Sequence, residues 1–154
     1  MIVSDTTTLI ILSDLKRFDL LSNLFQKIYV PKRVFEELNY KSKIKLPDFF
    51  EIVEVNQNYE TLKYLKLILD EGESEAIVYA KENNLPLIID EKKGRKVAKD
   101  LNLKIIGLLG ILYLNYKRKF INKKEIEEFL NSAIENGYRV SEKLINDFFE
   151  NINN

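Results

Sequence analysis

Carboxylates are the side chains in this chain best placed to do chemistry, because imidazole and thiol groups are absent. There is no His and no Cys. That excludes Ser-His-Asp catalysis, thiolate nucleophiles, zincin motifs and every cysteine metal site. Asp5 follows the short apolar run Ile2-Val3, and Asp90 ends the continuous run Leu87-Ile88-Ile89. Both therefore stand at the carboxyl end of a strand candidate, where open parallel sheets bind ligands. Each also precedes a helix start, where an Asp oxygen can accept from free amides as an N-cap.

Two further acids fall on helical faces. In the segment after Pro31, Val34, Phe35 and Leu38 define an inward face with Glu37 at its flank, whereas Glu36 points to solvent. A carboxylate at the border of a buried face is costly unless it is paired or metal-bound. The segment Asp70-Glu71-Gly72-Glu73-Ser74-Glu75-Ala76-Ile77 is the densest. Asp70 and Glu73 have capping-box spacing, which accounts for both structurally. Glu73 also shares a face with Ala76, Ile77 and Ala80, whose small members let the helix approach a sheet closely. Glu73 is therefore the preferred functional carboxylate and Glu75 the second choice. Asp5, Glu37, Glu73 and Asp90, meeting without His or Cys, would make a hard-cation site for Mg²⁺ or Mn²⁺ with phosphate and water oxygens. Such an ion could activate water for in-line attack on a phosphodiester. Without it the carboxylates would repel and raise one another's pKa values.

Basic residues flank these acids. Lys92, Lys93, Arg95 and Lys96 follow Asp90, and Lys32 and Arg33 precede Glu37. They could hold a nucleic-acid backbone without reading its sequence, although for any one Lys a solvated helix face is the simpler reading. Thr6, Thr7 and Thr8 could bond a metal's water shell or cap the first helix. The glycines at 72, 94, 107, 110 and 137 form neither a Walker A loop nor a dinucleotide fingerprint.

The elements that would carry these residues alternate. Strands are expected at 2–3, 27–30, 49–55, 87–89 and 104–106. Helices are expected at 6–15, 18–25, from Pro31 to about 40, 59–69, from 70–73 to 83 or 84, 91–101, 108–117, 123–136 and 141–152. Strands separated by helices imply an α/β/α sandwich around a parallel sheet. Residues 1–154 read as one domain, with 120–154 a C-terminal helical extension packed through Ile126, Phe129, Leu130 and Ile134, then Leu144, Ile145, Phe148 and Phe149. Of the 154 residues, 45% are hydrophobic, enough for a core. The 24 basic and 24 acidic residues cancel. Any nucleic-acid surface must then be a local patch. The apolar stretch at 9–12 is too short for a signal peptide or membrane span, so a soluble cytoplasmic protein is expected.

The same segments resemble the PIN-domain family, and in particular a VapC-like subfamily of predicted nucleic-acid-binding proteins. The resemblance runs through Val3-Ser4-Asp5-Thr6-Thr7-Thr8-Leu9-Ile10, Val30 to Leu38, Asp70 to Ile77 and Leu87 to Ala98. It continues through Ile106 to Leu112 and Gly137-Tyr138-Arg139-Val140-Ser141, essentially the whole chain. The Gly-Glu-x-Glu-Ala-Ile segment is its most specific part. The resemblance implies a Mg²⁺- or Mn²⁺-dependent endoribonuclease, often a homodimer and often the toxin of a toxin–antitoxin pair, with RNA as substrate and an antitoxin protein as partner. By position, Asp5 is the first acidic ligand, Glu37 the second, Glu73 or Glu75 the third, and Asp90 or Glu91 the fourth. Thr7 stands where a Ser or Thr supports the metal's water. The competing expectation is a nucleic-acid- or protein-binding module with little or no nuclease activity.

Overall fold

Short runs of Ile, Val, Leu and Phe supply every strand, and in a computed structural model that describes residues 1–153 they join one five-stranded sheet. The strands are β1 (Ile2–Ser4), β2 (Ile28–Pro31), β3 (Phe50–Val53), β4 (Leu87–Ile88) and β5 (Ile105–Ile106). Their order is β3-β2-β1-β4-β5 and each pairing is parallel. Val3 lies beside Tyr29 on one side and Leu87 on the other, and Ser4 lies beside Ile88. A parallel sheet covered on both faces needs apolar side chains on both, and the strand residues of β1 and β4 are buried throughout.

Helices connect the strands: α1 (Thr6–Asp14), α2 (Asp19–Ser22), α3 (Lys32–Ser42), α4 (Glu60–Leu65), α5 (Glu71–Glu82), α6 (Lys92–Asp100) and α7 (Leu108–Lys117). The chain moves outward from β1 through β2 to β3, then returns past β1 to β4 and β5. Strand order thus reverses between β1 and β4, and their carboxyl ends border the crevice where such sheets bind ligands. Ala76 and Ala80 are fully buried, so α5 lies close against β1 and β2 as their small side chains suggest.

Three elements are shorter than their apolar runs suggest. Lys16 adopts a left-handed φ of 56° after α1, and α2 is then a single turn confined to residues 19–22. After Leu65 the bonds tighten to three-residue turns, with Leu67 and Ile68 donating to Tyr64 and Leu65 carbonyls, so α4 stops there instead of reaching 69. β3 is an edge strand paired only with β2, which limits it to residues 50–53. Pro31 ends β2 and caps α3 rather than lying within the helix.

Two further helices, α8 (Lys123–Glu135) and α9 (Glu142–Asn153), complete the described chain. Asn122 and Glu125 form a reciprocal capping box at the start of α8. Ile126, Phe129, Leu130 and Ala133 of α8 and Phe148 and Ile152 of α9 join the same buried cluster as the sheet. Ile134 and Leu144, expected in that packing, are exposed. The inward stripe of α8 runs through 126, 129, 130 and 133, which leaves Ile134 one residue further round. Among the described residues, no helix is long and apolar enough to cross a membrane.

Candidate metal centre

Parallel β-α connections send the strands into helix N-termini on one edge of the sheet, where α5, which follows α4 and runs back to β4, also begins, and the acids collect at that edge. Asp5, immediately after β1, caps α1 by accepting from the Thr8 amide at 3.2 Å. Its other oxygen accepts from the Asp90 amide at 3.0 Å, which ties the ends of β1 and β4 together. Asp70 caps α5 by accepting from the Glu73 amide at 2.8 Å. Glu91 occupies the cap position of α6 without a side-chain cap bond and accepts instead from the Thr7 hydroxyl at 3.1 Å. Asp90 does not cap the helix that follows it. It reaches sideways to α7, where its Oδ1 accepts from the Leu108 amide at 3.0 Å.

Capping and metal binding are compatible here, because a carboxylate that gives one lone pair to an amide retains others. Asp70, Glu73 and Glu91 each offer an oxygen within 4.8 Å of the others. Asp5 lies alongside, near enough for its charge to act on Glu73. Glu37 stands one step away: its oxygens accept from the Thr6 hydroxyl at 2.6 Å and the Gly72 amide at 3.2 Å. Repulsion links the set in a chain, from Glu37 through Asp70 to Glu73, and from Glu73 through Asp5 to Asp90. Of the four acids expected at the site, Glu73 lies in the tight group and Asp5 adjoins it. Asp90 and Glu37 form its two flanks, while Asp70 and Glu91 complete its centre.

Electrostatics mark this group as unsettled. Burial pushes the Asp5 carboxyl up to about 7, partly offset by its hydrogen bonds and reinforced by the charge of Asp90. Glu73 is pushed up to about 8, first by burial, then by its contact with the Asp70 carboxyl and by the charges of Asp70, Glu91 and Asp5. Glu37 is raised as well, by burial, against the lowering effect of Thr6. Among the described residues, Glu73 Oε2 is buried without a hydrogen-bond partner. An orphaned carboxylate oxygen beside further carboxylates, with no nitrogen or sulfur ligand, fits a hard divalent cation.

Two glycines make room for these side chains. A Cβ at Gly94 would collide with Glu73 Oε2 and come within 2.7 Å of Ile89 Cδ1. A Cβ at Gly72 would lie 2.5 Å from Glu37 Oε2 and 2.9 Å from Thr6 Oγ1. No periodic pattern of residues signals such close approach. Asp70 was legible only as a cap, and the cap is what holds it beside Glu73.

Glu75 has a different task. It is buried on another side of α5, where it accepts from the Arg33 amide at 3.1 Å and Gln57 Nε2 at 3.0 Å. It thereby pins the first turn of α3 to α5, a favourable place for a negative charge. Lys92, Lys93 and Lys96 are exposed on α6, with Arg95 half-buried. Lys32 faces Glu54 at 3.9 Å, and Arg33 Nε lies 2.9 Å from Glu71 and 3.6 Å from Glu37. Tyr138, between α8 and α9, donates to Asp90 Oδ1 at 3.3 Å. Burial and the Asp90 charge raise its phenol above the ordinary range.

A family model described as a PIN domain (DUF3368) matches residues 1–154. No curated protein is a significant match. Among solved structures, a PilT N-terminus domain protein from the archaeon Sulfolobus solfataricus P2 is similar, with 20% identity and a TM-score of 0.52 over 92% of this chain and 100% of that one. At that identity the likeness concerns the fold, and it is the same parallel α/β arrangement with C-terminal helices described above.

Proposed function

Because the chain belongs to the PIN-domain family, whose members are generally metal-dependent nucleases, we propose that it is a Mg²⁺- or Mn²⁺-dependent endoribonuclease acting at the edge where α1, α5 and α6 begin. The observation that carries this reading is the meeting of Asp5, Asp70, Glu73 and Glu91 around a buried, unpartnered Glu73 oxygen. Asp70, Glu73 and Glu91 would hold the ion together with the adjoining Asp5, and Asp90 and Glu37 would flank it. A divalent ion bound there supplies Lewis acidity, which activates water and offsets phosphodiester charge. The protein's own part is positional. Thr7 orients Glu91, Thr6 orients Glu37, and the Asp90 amide orients Asp5. Lys92, Lys93 and Lys96 present exposed positive charge beside the acids and would hold RNA phosphates. Arg33 is drawn onto Glu71 and Glu37, so it contributes to phosphate binding only when RNA displaces those acids.

The finer reading is a toxin-type, VapC-like ribonuclease of the cytoplasm, working as a homodimer and silenced by an antitoxin segment over the acidic edge. Its support is the motif resemblance along the chain.

The test is cleavage of labelled RNA in Mn²⁺ by the wild type, Asp5→Asn and Glu73→Gln. Each variant is expected to lose at least a hundredfold in rate. Wild-type rates in both variants would refute the assignment. Salt-dependent RNA binding without cleavage in any divalent ion would instead identify a binding module.

A further inference from the structure

Asp90 stands out among the acids because one of its oxygens is already engaged from two directions. Oδ1 accepts from the Leu108 amide at 3.0 Å and from the Tyr138 hydroxyl at 3.3 Å. Gly107 permits this arrangement: a Cβ there would sit 2.9 Å from Asp90 Oδ1 and 2.9 Å from Arg95 Nη1. The C-terminal helices deliver the phenol by a specific device. Gly137 takes a φ of 99° at the end of α8, its amide bonds to the Ile134 carbonyl, and the Tyr138 amide bonds back to the Ala133 carbonyl. This left-handed stop turns the chain sharply, and the next residue folds back onto the sheet. Tyr138 is buried with the core, although a Phe would fill that apolar space equally well. What the hydroxyl adds is the bond to Asp90.

We propose that Tyr138 is a positioning residue for Asp90, its hydroxyl and the Leu108 amide together holding Oδ1 so that Oδ2 stays available to the acidic edge. This rests on the reading of that edge as a divalent-metal centre. Hydrogen-bonded partners of the side chains around a bound metal commonly matter tenfold or more in its affinity, and Asp90 flanks this centre with its amide on Asp5. The C-terminal helical segment is then part of the metal centre as well as of the core.

The experiment compares Mn²⁺ binding by calorimetry, and thermal melting in chelator, for the wild type, Tyr138→Phe, Asp90→Asn and the double variant. Tyr138→Phe is expected to melt close to the wild type and to bind Mn²⁺ about tenfold more weakly. In the Asp90→Asn background the same change should have little further effect, because the two residues act through one oxygen. Equal Mn²⁺ affinity in Tyr138→Phe and the wild type would overturn the inference while leaving the metal centre intact. So would a loss of the same size with and without Asp90. Absence of Mn²⁺ binding by the wild type would remove the metal centre itself and the inference with it.

Discussion

Replacing Asp5 by Asn should change the sign of its effect on stability between acid and mildly alkaline pH. In the folded chain the carboxyl is pushed from 3.8 to about 7, chiefly by burial. Well below pH 4 it is protonated in both states and costs little. As pH rises, the unfolded chain ionises first and the folded chain retains the proton, so stability falls until about pH 7 and then levels off. A shift of this size corresponds to roughly 4 kcal/mol at pH 8 and under about 1 kcal/mol at pH 4. Asn keeps the shape but turns one acceptor into a donor, facing either the Thr8 or the Asp90 amide. That loss should cost about 1–3 kcal/mol at any pH. In chelator, therefore, the variant should be less stable than the wild type at pH 4 and more stable at pH 8. The pH 8 difference is expected to be about 1–3 kcal/mol, or several degrees in melting temperature. Urea unfolding at the two pH values measures it. A deficit of the same size at both would show that the Asp5 charge is not strained in the metal-free fold. Saturating Mn²⁺ should reverse the order at pH 8, since an ion at a hundred times its Kd adds about 2.7 kcal/mol to the state that binds it.

Other substitutions probe the same edge from different sides. Gly94→Ala places a methyl against the Glu73 carboxylate and should weaken Mn²⁺ binding about tenfold or more, with a stability cost of about 1–3 kcal/mol. Unchanged affinity by calorimetry would mean that Glu73 does not contact the ion. Glu75→Gln should leave Mn²⁺ affinity and RNA cleavage near wild type while costing about 1–2 kcal/mol, because it weakens the bonds from Arg33 and Gln57. If Glu75→Gln abolishes metal binding and Glu73→Gln does not, their roles are reversed. Arg33→Ala frees Glu37 and Glu71, and should raise Mn²⁺ affinity a fewfold by removing a competing cation. A drop in affinity would show that Arg33 supports the site.

Much of this architecture could be read from residue patterns, for identifiable reasons. Leu87-Ile88-Ile89 is apolar at every position, as a strand buried on both faces must be, and Ala76 and Ala80 announced a close helix–sheet contact. The acids were visible because a parallel sheet sends each strand end to the same edge, so Asp5 and Asp90 could be expected to meet. Side-chain direction was not visible. Asp90 turns to the start of α7, a partner 18 residues along the chain. Glu75 turns to α3, and Asp70 serves as both cap and neighbour of Glu73. Such choices depend on which free amide is nearest in three dimensions, and no periodicity encodes that. Exposed Ile52 illustrates another limit: its run reads like any other strand, but β3 lies at the edge of the sheet.

The crossovers also divide labour between the two rims of the sheet. Since α3 runs back from the carboxyl rim, the connection from Lys43 to Phe49 emerges at the opposite rim. A fluorophore, an affinity handle or a whole reporter domain spliced there would ride behind the molecule, leaving the acidic rim unobstructed for a long polyanion.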